Sequence, residues 1–170
     1  EAASLGVGHL VLVQPSVYGT DNSLLLSALG HEPGRHRGVV VLADATDPAE
    51  LKRMHQAGVR GVRLNLVSPV GEGAGAATRF ERLAPRAAEL GWHVQWYVKP
   101  EQLPEVAELH RRADAVCVLD HLGGLHAEVA TDHPAWQALQ TLAEHGAWIK
   151  LSGWYRLHAS APYHALLPVV

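Results

Sequence analysis

Short β-branched runs alternate with longer helical stretches along the whole chain, and this alternation limits the fold more than any other feature. Strands are predicted at residues 9–14, 38–43, 60–66, 92–98, 115–119 and 147–151, with helices near 22–29, 48–57, 77–90, 103–112 and 134–145. Such a pattern predicts parallel strands joined by crossover helices. Helix boundaries carry chemical signals. Asp47-Pro48-Ala49-Glu50 offers an N-cap carboxylate, a proline at the first helical position and a capping-box glutamate, and Gly58 stops the helix. Pro134 opens another helix, with Trp136, Leu139 and Leu142/Ala143 expected to face inward. Pro85 lies inside the 77–90 pattern and predicts a kink or a break there.

Alternation within the strands separates two faces. Val62, Leu64 and Leu66 share one side of their strand, and Gly61, Arg63 and Asn65 share the other. The next strand repeats this, with Val94, Trp96 and Val98 opposite His93, Gln95 and Tyr97. An open sheet covered on both faces tolerates a polar face poorly, whereas a barrel interior near its functional rim accommodates one. The expected class is therefore α/β, a partial (β/α)8 TIM barrel with about six of its eight strands, in a single domain over residues 1–170. Residues 1–8 read as the tail of a helix and 160–167 as the start of one, so the chain reads as the middle of a barrel.

At 170 residues, with a net charge of -3, the chain suits one soluble core and gives no electrostatic reason to expect nucleic acid or an anionic membrane as partner. No apolar run reaches the ~18 residues a membrane span requires, and no signal-peptide pattern precedes the first strand. The single cysteine, Cys117, sits in an apolar run and suits a reducing, cytoplasmic setting. The basic cluster Arg35-His36-Arg37 reads as a solvated loop. Gly71-Glu-Gly-Ala-Gly-Ala76 follows a strand and precedes a helix, as a dinucleotide fingerprint would. Its glycines start too late for the tight turn, and no acidic residue ends the next strand. A loop over the pocket is the expected reading.

Parallel α/β folds gather the carboxyl ends of their strands on one rim, where chemistry sits. Arg63, Tyr97, His121 and Arg156 all fall at or just after such ends. Arg63 needs an anionic partner, either substrate or a carboxylate such as Asp44, because an unpaired buried guanidinium is costly. His93 lies deeper and reads as a core histidine. Asp120 has the opposite alternation parity to His121, so it is expected to face outward or to cap locally.

At these residues the chain resembles the amidohydrolase-related (amidohydrolase 2) family, in the branch of 2-pyrone-4,6-dicarboxylate lactonases. The matching segments are Gln14-Pro-Ser-Val-Tyr-Gly-Thr-Asp-Asn22, Gly58-Val-Arg-Gly-Val-Arg-Leu-Asn65, Gly91-Trp-His-Val-Gln-Trp-Tyr97, Leu119-Asp-His-Leu-Gly123 and Ile149-Lys-Leu-Ser-Gly153 with Arg156. The resemblance implies a hydrolase that opens a lactone or related cyclic ester of a small carboxylate-bearing molecule. Metal-dependent decarboxylation or amide hydrolysis is the alternative, and a non-catalytic ligand-binding barrel a third reading. It implies that His121 polarises the scissile carbonyl, or ligates a divalent metal (Zn or Mn) if one is used, although no cofactor is required. Tyr97, Ser16 and Thr20 would hydrogen-bond the substrate, and Arg63 and Arg156 would pair with its carboxylates.

Two departures stand out. The lactonases carry a second basic residue shortly after the position of Arg63, where this chain reads Val67-Ser68-Pro69, so a different or less acidic substrate is expected. No His-x-His occurs among the twelve histidines, and the family's eighth-strand aspartate has no match. Residues 1–170 alone are therefore expected to be inactive, because the base that activates water is missing from them.

Overall fold

The computed structural model describes residues 3–68 and 75–170. Among them, six strands form one sheet in the order β1 (Val11–Val13), β2 (Arg37–Val40), β3 (Val59–Asn65), β4 (His93–Tyr97), β5 (Cys117–Leu119) and β6 (Trp148–Ile149). Every neighbouring pair is parallel, and spatial order equals chain order. A doubly wound sheet would reverse direction once; this one does not, so it is an arc of a TIM barrel. The glycine-rich segment expected to cover the pocket falls mostly at positions 69–74, outside the described residues.

Helices α1 (Ser23–His31), α2 (Pro48–Ala57), α3 (Ala76–Glu89), α4 (Leu103–Arg111) and α5 (Pro134–Glu144) cross over between strands. The core lies between them and the outer face of the sheet. There Val62, Leu64, Val94, Trp96 and Leu119 are almost wholly buried with Phe80, Leu103 and Leu142. At ~25 cal/mol per Å2 of apolar surface, this helix-facing layer is the main stabilising term. Cys117 belongs to it, and burial pushes its thiol up to about 12, so it stays protonated and behaves as a small apolar group.

Local chemistry sets the boundaries with some surprises. The Asp47 carboxylate accepts from the Ala49 amide at 2.6 Å and caps α2, and Gly58 ends it in the left-handed region at φ 110°. Glu50 closes no capping box; it pairs with Arg53 instead. The break expected at Pro85 is absent. α3 runs through it because Pro85 is on the exposed face, where the carbonyl that loses its donor can be solvated. In α5 the inward face is Ala135, Ala138 and Leu142, with Trp136 and Leu139 only flanking it and Ala143 exposed. The His133 imidazole caps that helix, accepting from the Ala135 amide at 3.1 Å. The terminal segments that read as helical are 310 turns, Ala3–Leu5 and His164–Val169.

Register explains how the inner face reaches the site. Gly61 pairs with His93, Arg63 with Gln95 and Asn65 with Tyr97. At the lowest of these levels the His93 ring lies over Gly61, where a Cβ would come within 2.4 Å of its Nε2. Only glycine leaves room for that imidazole. Burial holds the His93 pKa below its usual value, as befits a neutral core histidine.

Candidate active site

Above His93 the inner face carries a polar layer built from four consecutive strands. Asp120, one residue past β5, accepts from Arg63 Nε at 3.2 Å and from Gln95 Nε2 at 3.0 Å, and lies 3.0 Å from Lys150 Nζ. Its side chain is only 6% exposed. The outward orientation expected for Asp120 is thus wrong. Val118 pairs with Gln95, so β5 alternation places Asp120 on the inner face beside it. The anion beside Arg63 is this aspartate; Asp44 binds Arg79 and Arg82 at the surface.

His121 reaches the same mouth by leaving the strand. Its φ is 51°, followed by 54° at Leu122 and 64° at Gly123. Left-handed backbone at two successive non-glycine residues is costly and persists only where surrounding contacts hold it. Here the Gly153 backbone packs so close that a Cβ would lie 2.4 Å from His121 Nδ1, and Ser152 Oγ is 3.1 Å from that nitrogen. Burial lowers the His121 pKa. Asp120 opposes that shift, while Arg156, Arg63 and Lys150 reinforce it, and the net result favours neutral imidazole.

Tyr97 stands edge-on to His121, with ring centroids 5.2 Å apart. Arg156 donates to its hydroxyl at 2.7 Å and lies 5.2 Å from the ring centroid, and Arg63 is 5.4 Å from the same ring. Tyr155 flanks Arg156 at 5.4 Å. Among the described residues Arg156 meets no carboxylate. Ser16 accepts from Arg63 at 3.1 Å and from Asn65 at 2.5 Å, tying the loop after β1 to β3. Thr20 does not join this group: it is exposed, with no side-chain hydrogen bond, because Asn22 and Gln14 take the polar contacts of its loop.

Tyr97, His121 and Arg156 line a cleft of about 260 Å3 with Val67, Lys99, Glu101, His126 and His158. Gln95, Asn65, Lys150 and Ser152 were not among the residues singled out from the sequence. The first two were legible from parity with Arg63 and Tyr97; the others depend on how the chain leaves β6. Among the described residues no group of three metal-ligating side chains includes His121.

Comparisons with known proteins agree with this architecture. A 2-pyrone-4,6-dicarboxylate hydrolase from Comamonas testosteroni is 33% identical over 160 residues, covering 93% of this chain and 52% of that protein. A 4-sulfomuconolactone hydrolase from Rhizobium radiobacter is 30% identical, covering 96% and 56% respectively. This chain therefore spans about half the length of the curated relatives it matches. Among solved structures, a putative 2-pyrone-4,6-dicarboxylic acid hydrolase from Pseudomonas putida superposes with a TM-score of 0.83 at 38% identity, covering 95% of this chain and 59% of that one. A probable hydrolase of the same kind from Acinetobacter baumannii, with citric acid bound, gives 0.79 at 29%, covering 92% and 58%. The amidohydrolase family model matches residues 1–170, and with the consecutive parallel strands and the polar rim they carry, the chain belongs to the amidohydrolase family.

Proposed function

We propose that this chain supplies the substrate-holding and carbonyl-polarising part of a hydrolase that opens a small anionic lactone. The carrying observation is a charge imbalance. Arg63 and Lys150 share one carboxylate, Asp120, in the layer below the mouth, and Arg156 above them meets none among the described residues. Relatives named for dicarboxylate and sulfonate lactones support an anionic substrate.

In this reading Arg156 takes the acid group of the substrate, exchanging its phenol contact for a carboxylate. Ser152 donates to His121 Nδ1, so the remaining proton sits on Nε2 and is offered to the lactone carbonyl oxygen. Water adds to the carbonyl carbon, the ring C–O bond breaks, and the alkoxide leaves protonated. Activation of that water is assigned to a carboxylate outside residues 1–170. Asp120 is unsuited to the task, because two cations and an amide hold it. Arg63 acts through Asp120 and Tyr97 to orient the mouth, and Ser16 holds Arg63. Val67 lines the cleft shortly after Arg63 and favours a substrate with one fewer acid group on that side.

The test is a panel of mono- and dianionic lactones assayed with the complete enzyme, wild type and His121→Gln. Turnover lost in the variant with KM little changed supports the reading. Equal turnover in both would refute it.

A further inference from the structure

We infer that His126, Glu128 and His158 form a binding site for a divalent cation of the zinc class on the wall of the cleft. The three ligand atoms lie within 4.8 Å of one another. His158 Nδ1 is 3.0 Å and His126 Nδ1 3.9 Å from the same oxygen, Glu128 Oε2. A tetrahedral ion with donors at about 2.0–2.1 Å separates them by roughly 3.3 Å, so small rotations of the exposed Glu128 and His158 complete the set.

Two further observations point to a ligand. His126 Nδ1 is buried and makes no hydrogen bond, the costly condition that a metal would relieve. The two imidazoles are also stacked face to face, 4.7 Å apart with planes 17° from parallel, an arrangement that aims both rings at one carboxylate. The backbone is built to present them. His158 sits at φ 54°, between buried Leu157 and Ala159, and His126 follows buried Leu125. The site thus joins the loop after β5 to the loop after β6.

Two nitrogens and one carboxylate suit zinc, cobalt or nickel better than magnesium or calcium. Three protein donors leave a coordination position open. His126 and His158 line the same cleft as Tyr97 and Arg156, so a bound ion would add a positive anchor for an anionic ligand there. The inference stands apart from the hydrolase reading, and its readout is metal binding alone.

The experiment titrates chelator-treated protein with zinc chloride, then repeats it with cobalt chloride and reads the visible absorption of the coordinated ion. One tight equivalent is expected. His126→Gln and His158→Asn should each weaken it by more than the roughly 10–100-fold that loss of an outer-shell partner costs. Asparagine tolerates the left-handed backbone at position 158, and melting of both variants without metal should match the wild type. His121→Gln should bind zinc unchanged. Uptake unaltered in H126Q and H158N, lost only in His121→Gln, or absent from the wild type would overturn the assignment.

Discussion

In the layer of Arg63, Gln95, Asp120 and Lys150, each cation meets a carboxylate held on neighbouring strands, whereas in the mouth above it Arg156 rests on phenol rings and His121 on a serine hydroxyl. The same chemical types serve two ends. Deep in the sheet an unpaired charge would cost several kcal/mol, so each charge of the layer has a partner, although Gln95 Oε1 makes no hydrogen bond and Lys150 stays partly exposed. At the rim solvent screens such costs, so groups can wait for a ligand. The barrel rim therefore sets a paired polar layer on the strands below a mouth, on the loops after them, that we propose binds ligand.

Breaking the closed layer gives the largest effect. Asp120→Ala leaves Arg63 and Lys150 without their shared anion and should cost about 3–5 kcal/mol in urea unfolding. A loss under ~1 kcal/mol would mean that the layer is solvated after all. Next comes acidification of the core side. Trp96 donates to His110 Nε2 at 2.8 Å, and His110 Nδ1 lies 3.0 Å from the Ala115 carbonyl, so the ring is buried neutral and its pKa is lowered to about 4 by burial. The unfolded chain binds this proton more readily. Stability from His110 is therefore complete above about pH 6.5 and falls as the pH drops toward 4, by about 3 kcal/mol. Unfolding midpoints measured across that range should slope accordingly, and His121, at the half-open mouth, should add a smaller slope of the same sign.

The open side is sharpened by Arg156→Ala, which should weaken binding of a carboxylate ligand by about 1.5–3 kcal/mol yet change stability by less than ~0.5 kcal/mol. Calorimetric titration with citrate against parallel melts separates the two. The smallest effect is expected at Thr20→Ala, within ~0.5 kcal/mol in stability and neutral in ligand binding, because this side chain joins neither region.

Much of this was readable beforehand, and the gaps have physical causes. Strand alternation gave the correct inner face for Arg63, Asn65, Gln95 and Tyr97, because β3 and β4 pair in unbroken register and the period of two holds there. The same alternation, followed from Val118, points Asp120 inward as well; the outward expectation came from giving the inward place to His121. His121 reaches the mouth only by a left-handed backbone step, which leaves no mark in the order of residue types. The absence of a break at Pro85 has a similar cause, because the carbonyl that loses its donor there faces solvent. Thr20 was drawn in by its motif neighbours, although the loop's polar contacts belong to Asn22 and Gln14.

By itself the chain's residue order determined the strand and helix periods, the parallel connections and the polar face of the sheet, all of which follow from local geometry and solvent preference. The folded arrangement alone decided which charges neutralise one another, which imidazoles face the cleft, and that His126, Glu128 and His158 meet. Those outcomes depend on distances between segments that are remote along the chain, and electrostatic and coordination energies change steeply over a few ångströms.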